Sequence, residues 1–298
     1  MSVDTSRPPA TIALRQVIGS SRPISWINTA YPFAATYLMV AGRVDLTLVI
    51  GTVYFLIPYN LLMYGINDVF DYESDLRNPR KGGIEGVVLS RRWHRLTLWS
   101  AALSNVPFLV YLLAVGSTAA RVTLGVSVLA VVAYSAPGLR FKERPVLDSL
   151  TSSTHFVSPA VLGLVIAGGG ASVAVVATFL AFFLWGVASQ AFGAVQDVTA
   201  DRAASIASIA TWLGARRTVR FAMTAYGLAA VAMLGAGWPG GLAAVIPLGY
   251  LASVAPFRNL TDDDCEAANR GWRRFLWLNL VSGFLVTQLL IWIALRSR

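Results

Sequence analysis

The sequence predicts an all-α, polytopic membrane protein, and three observations carry that prediction. Apolar residues fill 56% of the 298 positions and charged ones only 13%, with a mean hydropathy of +0.61; soluble domains carry about 25% charged residues. The apolar residues gather in runs near the roughly 20 positions that a helix needs to cross a bilayer. Lysine and arginine concentrate at alternate ends of those runs.

Nine spans are expected in order. Residues 1–23 carry Arg7, Arg15 and Arg22 without a following small-residue cleavage pattern, so the first run, 24–41, reads as a retained span rather than a signal peptide. Runs 46–66, 94–116, 149–169 and 240–257 enclose Pro58, Pro107, Pro159 and Pro247, breaks that packed neighbours tolerate inside a membrane. Runs 118–136, 172–195, 218–236 and 273–295 complete the nine. No linker or low-complexity segment divides them, which predicts one integral-membrane domain over 1–298.

Charge sets the orientation. The amino-terminal tail and the even-numbered loops, with the adjoining span ends, hold 20 of the 24 Lys and Arg residues, leaving Arg43, Arg121, Arg296 and Arg298 opposite. The positive-inside rule then places the amino terminus and those loops in the cytoplasm of a multi-pass cell-membrane protein. The net charge of +9 is accounted for by topology, and no nucleic-acid partner is expected. Cys265, the single cysteine, excludes an internal disulfide framework and a thiolate metal cluster.

One loop stands out. Where the second run meets water, the chain reads Tyr64-Gly65-Ile66-Asn67-Asp68-Val69-Phe70-Asp71-Tyr72-Glu73-Ser74-Asp75. On a helix, Asp68, Asp71 and Asp75 fall at about 0°, 300° and 340°, with Asn67 about 40° from Asp71. Carboxylates so aligned repel unless a cation joins them, whereas Glu73, about 140° off the stripe, reads as solvated. Oxygen ligands without His or Cys favour a hard cation, and Mg²⁺ fits because substrate phosphate and water complete its shell. A second acidic segment, Asp197-Val198-Thr199-Ala200-Asp201, follows the sixth run. Gly186, Gln190 and Gly193 share its helical edge and predict a cavity wall. Two spans before each acidic segment suggest a faint internal duplication.

Cationic loops lie between these segments. Arg77-Asn78-Pro79-Arg80-Lys81-Gly82-Gly83 follows the first, and Tyr134-Ser135-Ala136-Pro137-Gly138-Leu139-Arg140-Phe141-Lys142 closes the fourth run. Each cation alone is ordinary positive-inside anchoring. Facing carboxylate-bound Mg²⁺, however, Arg and Lys supply what a diphosphate requires. No Walker-type or paired-glycine nucleotide motif competes for that ligand.

These motifs resemble the UbiA-type intramembrane prenyltransferases. Asn67, Asp68, Asp71 and Asp75 match that family's Asn-Asp-x-x-Asp-x-x-x-Asp signature, Asp197 and Asp201 its second acidic pair, and Tyr134, Ser135, Pro137, Arg140 and Lys142 its Tyr-Ser-x-Pro…Arg-x-Lys loop. Ser205 departs from a glycine that many members carry, and Ile206–Ile209 lacks a common basic residue, for which Arg202 is a candidate substitute. Residues 21–33, 75–86 and 148–156 look like the lycopene elongase branch, which builds C50 carotenoids. The resemblance implies helices around a central cavity open to the cytoplasm and sideways to lipid. It implies two Mg²⁺ ions, held by Asp68, Asp71 and Asp75 and by Asp197 and Asp201, with Asn67 orienting a carboxylate or a phosphate oxygen. Dimethylallyl diphosphate, or a longer allylic diphosphate, would bind Arg77, Lys81, Arg140 and Lys142. The acceptor would be lycopene or a related carotenoid arriving through membrane lipid, with carotenoid-pathway enzymes as further partners. Tyr134 and Tyr64 are candidates to shield an allylic cation. His155 is a candidate base, although a structural hydrogen bond is the ordinary role of a lone buried histidine. An aromatic quinone precursor is the rival acceptor, and a cation transporter the rival class.

Overall fold

The computed structural model describes residues 10–76 and 88–296, without the side chains of Ala10, Ser74 and Asp75. All regular elements among these residues are helical. In order they are α1 (Ala10–Ser20), α2 (Ile27–Ala41), α3 (Leu46–Leu56), α4 (Pro58–Phe70), α5 (Tyr72–Asp75), α6 (His94–Val115) and α7 (Thr118–Ser135). Then follow α8 (Leu147–Ile166), α9 (Val173–Val195), α10 (Val198–Ala203), α11 (Ile209–Leu213), α12 (Ala215–Leu234), α13 (Val245–Val254), α14 (Asn269–Trp272) and α15 (Phe275–Arg296).

Among the described residues, 7 helical stretches are long and apolar enough to cross a membrane: Leu46–Phe70, Arg91–Val115, Thr118–Ser135, Leu147–Ile166, Val173–Val195, Gly240–Phe257 and Cys265–Arg296. Two expected runs fall outside that set. The first becomes α2, only 15 residues long, because Arg22 takes a left-handed backbone (φ 51) and a 3-10 turn over Pro23–Ser25 delays the helix. The other becomes α12, whose first two turns carry Arg216, Arg217 and Arg220. The sequence reading did not anticipate α1. Its inward residues, Ala13, Gln16, Val17 and Ser20, keep helical spacing, but at 11 residues it falls well short of the roughly 20 that a span needs, so a search for apolar runs passes over it.

Leu46–Phe70 breaks at Ile57–Pro58 into α3 and α4. Proline lacks an N–H and crowds the carbonyl four residues back, so the carbonyls around the break need other donors. Asn60 Nδ2 donates to Phe55 O at 2.7 Å and Leu56 O at 3.1 Å. Thr29 Oγ1 donates to Phe55 O at 2.7 Å, and Asn105 Nδ2 reaches Pro58 O at 2.8 Å. Both asparagines are buried. The break therefore ties α2, α4 and α6 together.

Two hydrophobic cores form. One gathers Phe33, Tyr54, Phe55 and Tyr59 from α2, α3 and α4, with α6 and α7 around them. The other gathers Phe192, Tyr226, Tyr250, Phe257 and Phe275 from α9 onward. α8 is the seam, packed on α2, α7 and α9. Small residues allow the close approach that membrane helices use: a Cβ on Gly163 would stand 2.6 Å from Phe33 O, and one on Gly186 3.0 Å from Ser153 Cβ.

Candidate active site

The first acidic motif is not one continuous helix. α4 stops at Phe70, Asp71 takes φ −101 and ψ 2, and a short α5 follows. The predicted stripe is split into two directions. Asp68, 1% exposed, turns to the chain after α1, accepting from Ser20 Oγ at 2.9 Å and pairing with Arg22 Nη2 at 3.2 Å. The Arg22 guanidinium also stands 4.3 Å from the Tyr64 ring centroid, a cation–π contact. Arg22 was not among the expected site residues, because its place depends on α1, which hydropathy misses.

Asn67 and Asp71 turn the other way, to the loop between α7 and α8. Ser135 Oγ donates to Asn67 Oδ1 at 3.0 Å, and Lys142 Nζ lies 3.5 Å from the same oxygen. Lys142 also ion-pairs with Asp71, and Arg140 Nη2 stands 3.6 Å from Asp71 Oδ1. Burial pulls the Lys142 ammonium below the usual lysine range, against Asp71, which favours its charge. Arg140 is braced by Glu143, with Nε donating to Oε2 at 2.7 Å; that hydrogen bond holds the Glu143 carboxyl below the usual carboxylate range. The loop is bent by positive φ at Arg140 (40) and Val146 (74), the latter strained for a β-branched residue.

Beneath this cluster lies a polar layer. Tyr134 meets His155 edge-on, ring centroids 5.1 Å apart. Gln190 Nε2 donates to the Tyr134 hydroxyl at 3.4 Å, and Ser152 Oγ to Gln190 Oε1 at 3.0 Å. Asp148, Asp71, Tyr64 and Arg22 all bear electrostatically on Tyr134. Deeper still, Ser127 Oγ donates to Tyr59 Oη at 3.1 Å and lies 2.8 Å from Ser158 Oγ. Of the residues expected to line a cavity, Tyr134 meets His155 and Gln190 directly, while Tyr64 meets the Arg22 guanidinium.

Asp197 and Asp201, both partly buried, sit at the start of α10, just beyond α9. The turn that follows places Ser205 at φ 57, a left-handed conformation that suits glycine. Asp148, 1% exposed, anchors the next segment: Oδ2 accepts from Ile209 N at 2.7 Å and Oδ1 from Ser149 N at 2.7 Å. It links the first turn of α8 to the start of α11, and sequence spacing gave no sign of this. Arg202, the suggested substitute phosphate contact, instead braces the fold, with Nη1 2.5 Å from Asp262 Oδ2 and Nη2 donating to Thr211 O at 3.0 Å. Arg77, Lys81 and the Asp75 side chain lie outside the described residues.

Among the described residues, no three His, Cys, Asp or Glu side chains form a metal cluster by themselves. That is compatible with Mg²⁺, which usually takes one or two carboxylates and fills its shell with phosphate oxygens and water. The oxygen-only donors Asn67 and Asp71, with cations beside them, fit such an ion together with a diphosphate.

A model of the UbiA prenyltransferase family matches residues 29–281. The chain is 55% identical over 278 residues to a lycopene elongase/hydratase of Corynebacterium glutamicum, covering 93% of this chain and 97% of that protein. It is 56% identical over 287 residues to a C(50) β-cyclic carotenoids biosynthesis protein of Dietzia sp., covering 96% of this chain but 66% of that longer relative. A UbiA homolog from Archaeoglobus fulgidus bound to GPP and Mg²⁺ superposes with a TM-score of 0.66 at 16% identity, covering 90% of this chain and 99% of that one. The apo UbiA homolog from Aeropyrum pernix gives 0.66 at 16%, covering 89% and 98%. The helices, the motif geometry and these matches agree: the chain is a multi-pass membrane protein and belongs to the UbiA prenyltransferase family.

Proposed function

We propose that this chain transfers the prenyl group of dimethylallyl diphosphate to the ends of lycopene or a related carotenoid, with Mg²⁺ as cofactor. The convergence of Asn67 and Asp71 on Lys142 and Arg140 carries the chemistry. The relatives named for lycopene elongation and C50 carotenoids carry the acceptor. Asn67, Asp71 and Asp75 would hold one ion, and Asp197 and Asp201 another. Asp68, engaged by Ser20 and Arg22, would fix the entry to α2 beside them. Bound there, Mg²⁺ would neutralise diphosphate oxygens and improve the leaving group.

The chain's own groups do the rest. Lys142, Arg140, Arg77 and Lys81 would stabilise charge as the C–O bond breaks and its electron pair goes to the diphosphate, a preorganised electrostatic contribution. The remaining allylic cation would lie against the Tyr134 and Tyr64 rings, shielded from water. The π-electrons of a terminal acceptor double bond would form the new C–C bond, leaving a tertiary cation on the acceptor. The acceptor would enter from lipid and the diphosphate from the cytoplasm, where the positive-inside rule puts this end of the single domain. Pigment analysis in a lycopene-producing host tests the reading: C45 and C50 products are expected, and the Asp71→Asn variant should consume lycopene at least about 100-fold more slowly. Prenylation of an aromatic acid, with lycopene untouched by the active enzyme, would move the chain to the rival acceptor.

A further inference from the structure

One group in the layer beneath the carboxylates has incomplete hydrogen bonding. His155 is 2% exposed in the middle of α8. Its ring hydrogen-bonds the Ala130 backbone of α7, while Nε2 is buried without a partner. The donor to a helix carbonyl is therefore Nδ1–H, which leaves the Nε2 lone pair free. Nearby polar groups are occupied: the Tyr134 hydroxyl by Gln190, and Gln190 Oε1 by Ser152. A buried acceptor left over in a nearly complete network calls for an explanation, and in a membrane the usual one is function.

Position supplies the explanation. His155 lies seven residues beyond Asp148 on α8, about 10 Å along the axis at 1.5 Å per residue. Asp148 opens the first turn of α8 at the acidic end, and the imidazole, two turns on, meets the Tyr134 ring edge-on. After prenyl transfer the positive charge is on the acceptor, one carbon beyond the new bond and farther from the diphosphate. A base is needed there rather than among the phosphate-binding cations, within hydrogen-bond reach directly or through one water.

We propose that Nε2 of His155 is the base that ends the reaction by activating a water against this tertiary cation. The proposal rests on prenyl transfer to a carotenoid as described above. The water oxygen donates a lone pair to form the C–O bond, and one O–H bond breaks with its electrons staying on oxygen. The proton goes to Nε2. A tertiary alcohol and an imidazolium result, and the imidazolium returns its proton to solvent when the products leave. Without the base, the cation loses a proton from a neighbouring carbon to the departing diphosphate and becomes an alkene.

The test is the ratio of hydroxylated to alkene product, measured by mass spectrometry in purified wild type and His155→Gln and normalised to lycopene consumed. Glutamine can keep a donor for the Ala130 carbonyl but has no basic nitrogen. The hydroxylated fraction is expected to fall at least about tenfold, within the range for losing a general base. Asp71→Asn serves as control, lowering consumption without moving the ratio in whatever product remains. An unchanged ratio in folded His155→Gln overturns the proposal, and so does loss of fold in both His155→Gln and His155→Asn, because the ring would then be structural. Wild type that consumes no lycopene fails the acceptor assignment instead, a result that the variant ratios do not mimic.

Discussion

Asp71 and Lys142 should depend on one another, and a double-mutant cycle measures by how much. Their side chains are 11% and 12% exposed, so each charge sits largely out of water. Breaking a buried pair costs about 3–5 kcal/mol, whereas an exposed one is worth about 0–1. Lys142→Met still leaves Arg140 3.6 Å from Asp71, which lowers the expected loss to about 2–3 kcal/mol. Asp71→Asn leaves the ammonium in a site whose burial already disfavours its charge, and a similar loss is expected. The double variant removes both charges and should be destabilised no more than either single variant, giving a coupling of about 2–3 kcal/mol. At roughly 2–4 °C per kcal/mol for a chain of this order, each single variant should unfold about 4–12 °C lower. All three variants should lose Mg²⁺-dependent diphosphate release by at least about 100-fold, since charge stabilisation at the leaving group is gone. Unfolding midpoints in detergent and a pyrophosphate assay on the same samples read both quantities. A double variant destabilised by the sum of the two singles would show that these side chains do not interact. Substantial turnover in Asp71→Asn would remove its carboxylate from the metal site.

Further outcomes follow from the same geometry. Burial lowers the Lys142 pKa below the 10.5 of an ordinary lysine, so the free enzyme loses this ammonium as pH rises through that lowered value. kcat/KM for the allylic diphosphate should therefore fall below pH 10.5, and Lys142→Arg should move the fall upward; coincident profiles would exclude Lys142 as the titrating group. The unfolded chain binds this proton more tightly between those two values, so Lys142's contribution to stability should rise with pH across that window. Asn105→Leu removes the donor to Pro58 O and should cost about 1–3 kcal/mol in unfolding experiments, while an unchanged midpoint would show that the break at Pro58 does not need it. Ser205→Gly relieves a left-handed backbone (φ 57) and should stabilise by about 0.5–1 kcal/mol; Ser205→Val should do the reverse, as read by the same midpoints.

The parts of this molecule that were legible in the sequence are those governed by length and charge. Apolar runs gave α6, α7, α8, α9 and α15 nearly to their ends, since a helix in lipid must satisfy its own backbone. The motif residues Asn67, Asp71, Tyr134 and Lys142 were legible as chemistry, and the structure brings them together. The failures have common physical causes. α1 half-buries Ala13, Gln16 and Val17 and buries Ser20, but at 11 residues it is too short to register as a membrane span. Asp68 and Asn67 are neighbours on α4, about 100° apart, and take partners on different sides, Ser20 and Arg22 for one and Ser135 and Lys142 for the other, which helical angles alone cannot name. Asp148 and Asn105 act through backbone groups far away in sequence, and periodicity within one segment cannot report such partners.

The places where periodicity failed are also where the proposed chemistry sits. Asp71 stands at a helix break, Arg140 and Val146 carry positive φ around Lys142, and Ser205 carries it after Asp201. Local rules are broken at these points and kept through the bundle between them, the pattern expected when a rigid scaffold holds a functional constellation. The division of labour is physical. Straight helices fix depth, because side chains on α7, α8 and α9 can change level only in steps of about 1.5 Å per residue. Turns fix aim, because a residue off the helical repeat can point where the helix cannot. A site that must hold a charged leaving group at the water boundary, and a cation one layer below, needs both. Tyr134, one residue before the end of α7, is where the two meet: its ring touches the buried His155 layer, while Asp71 and Arg22 bear on its hydroxyl from the turns.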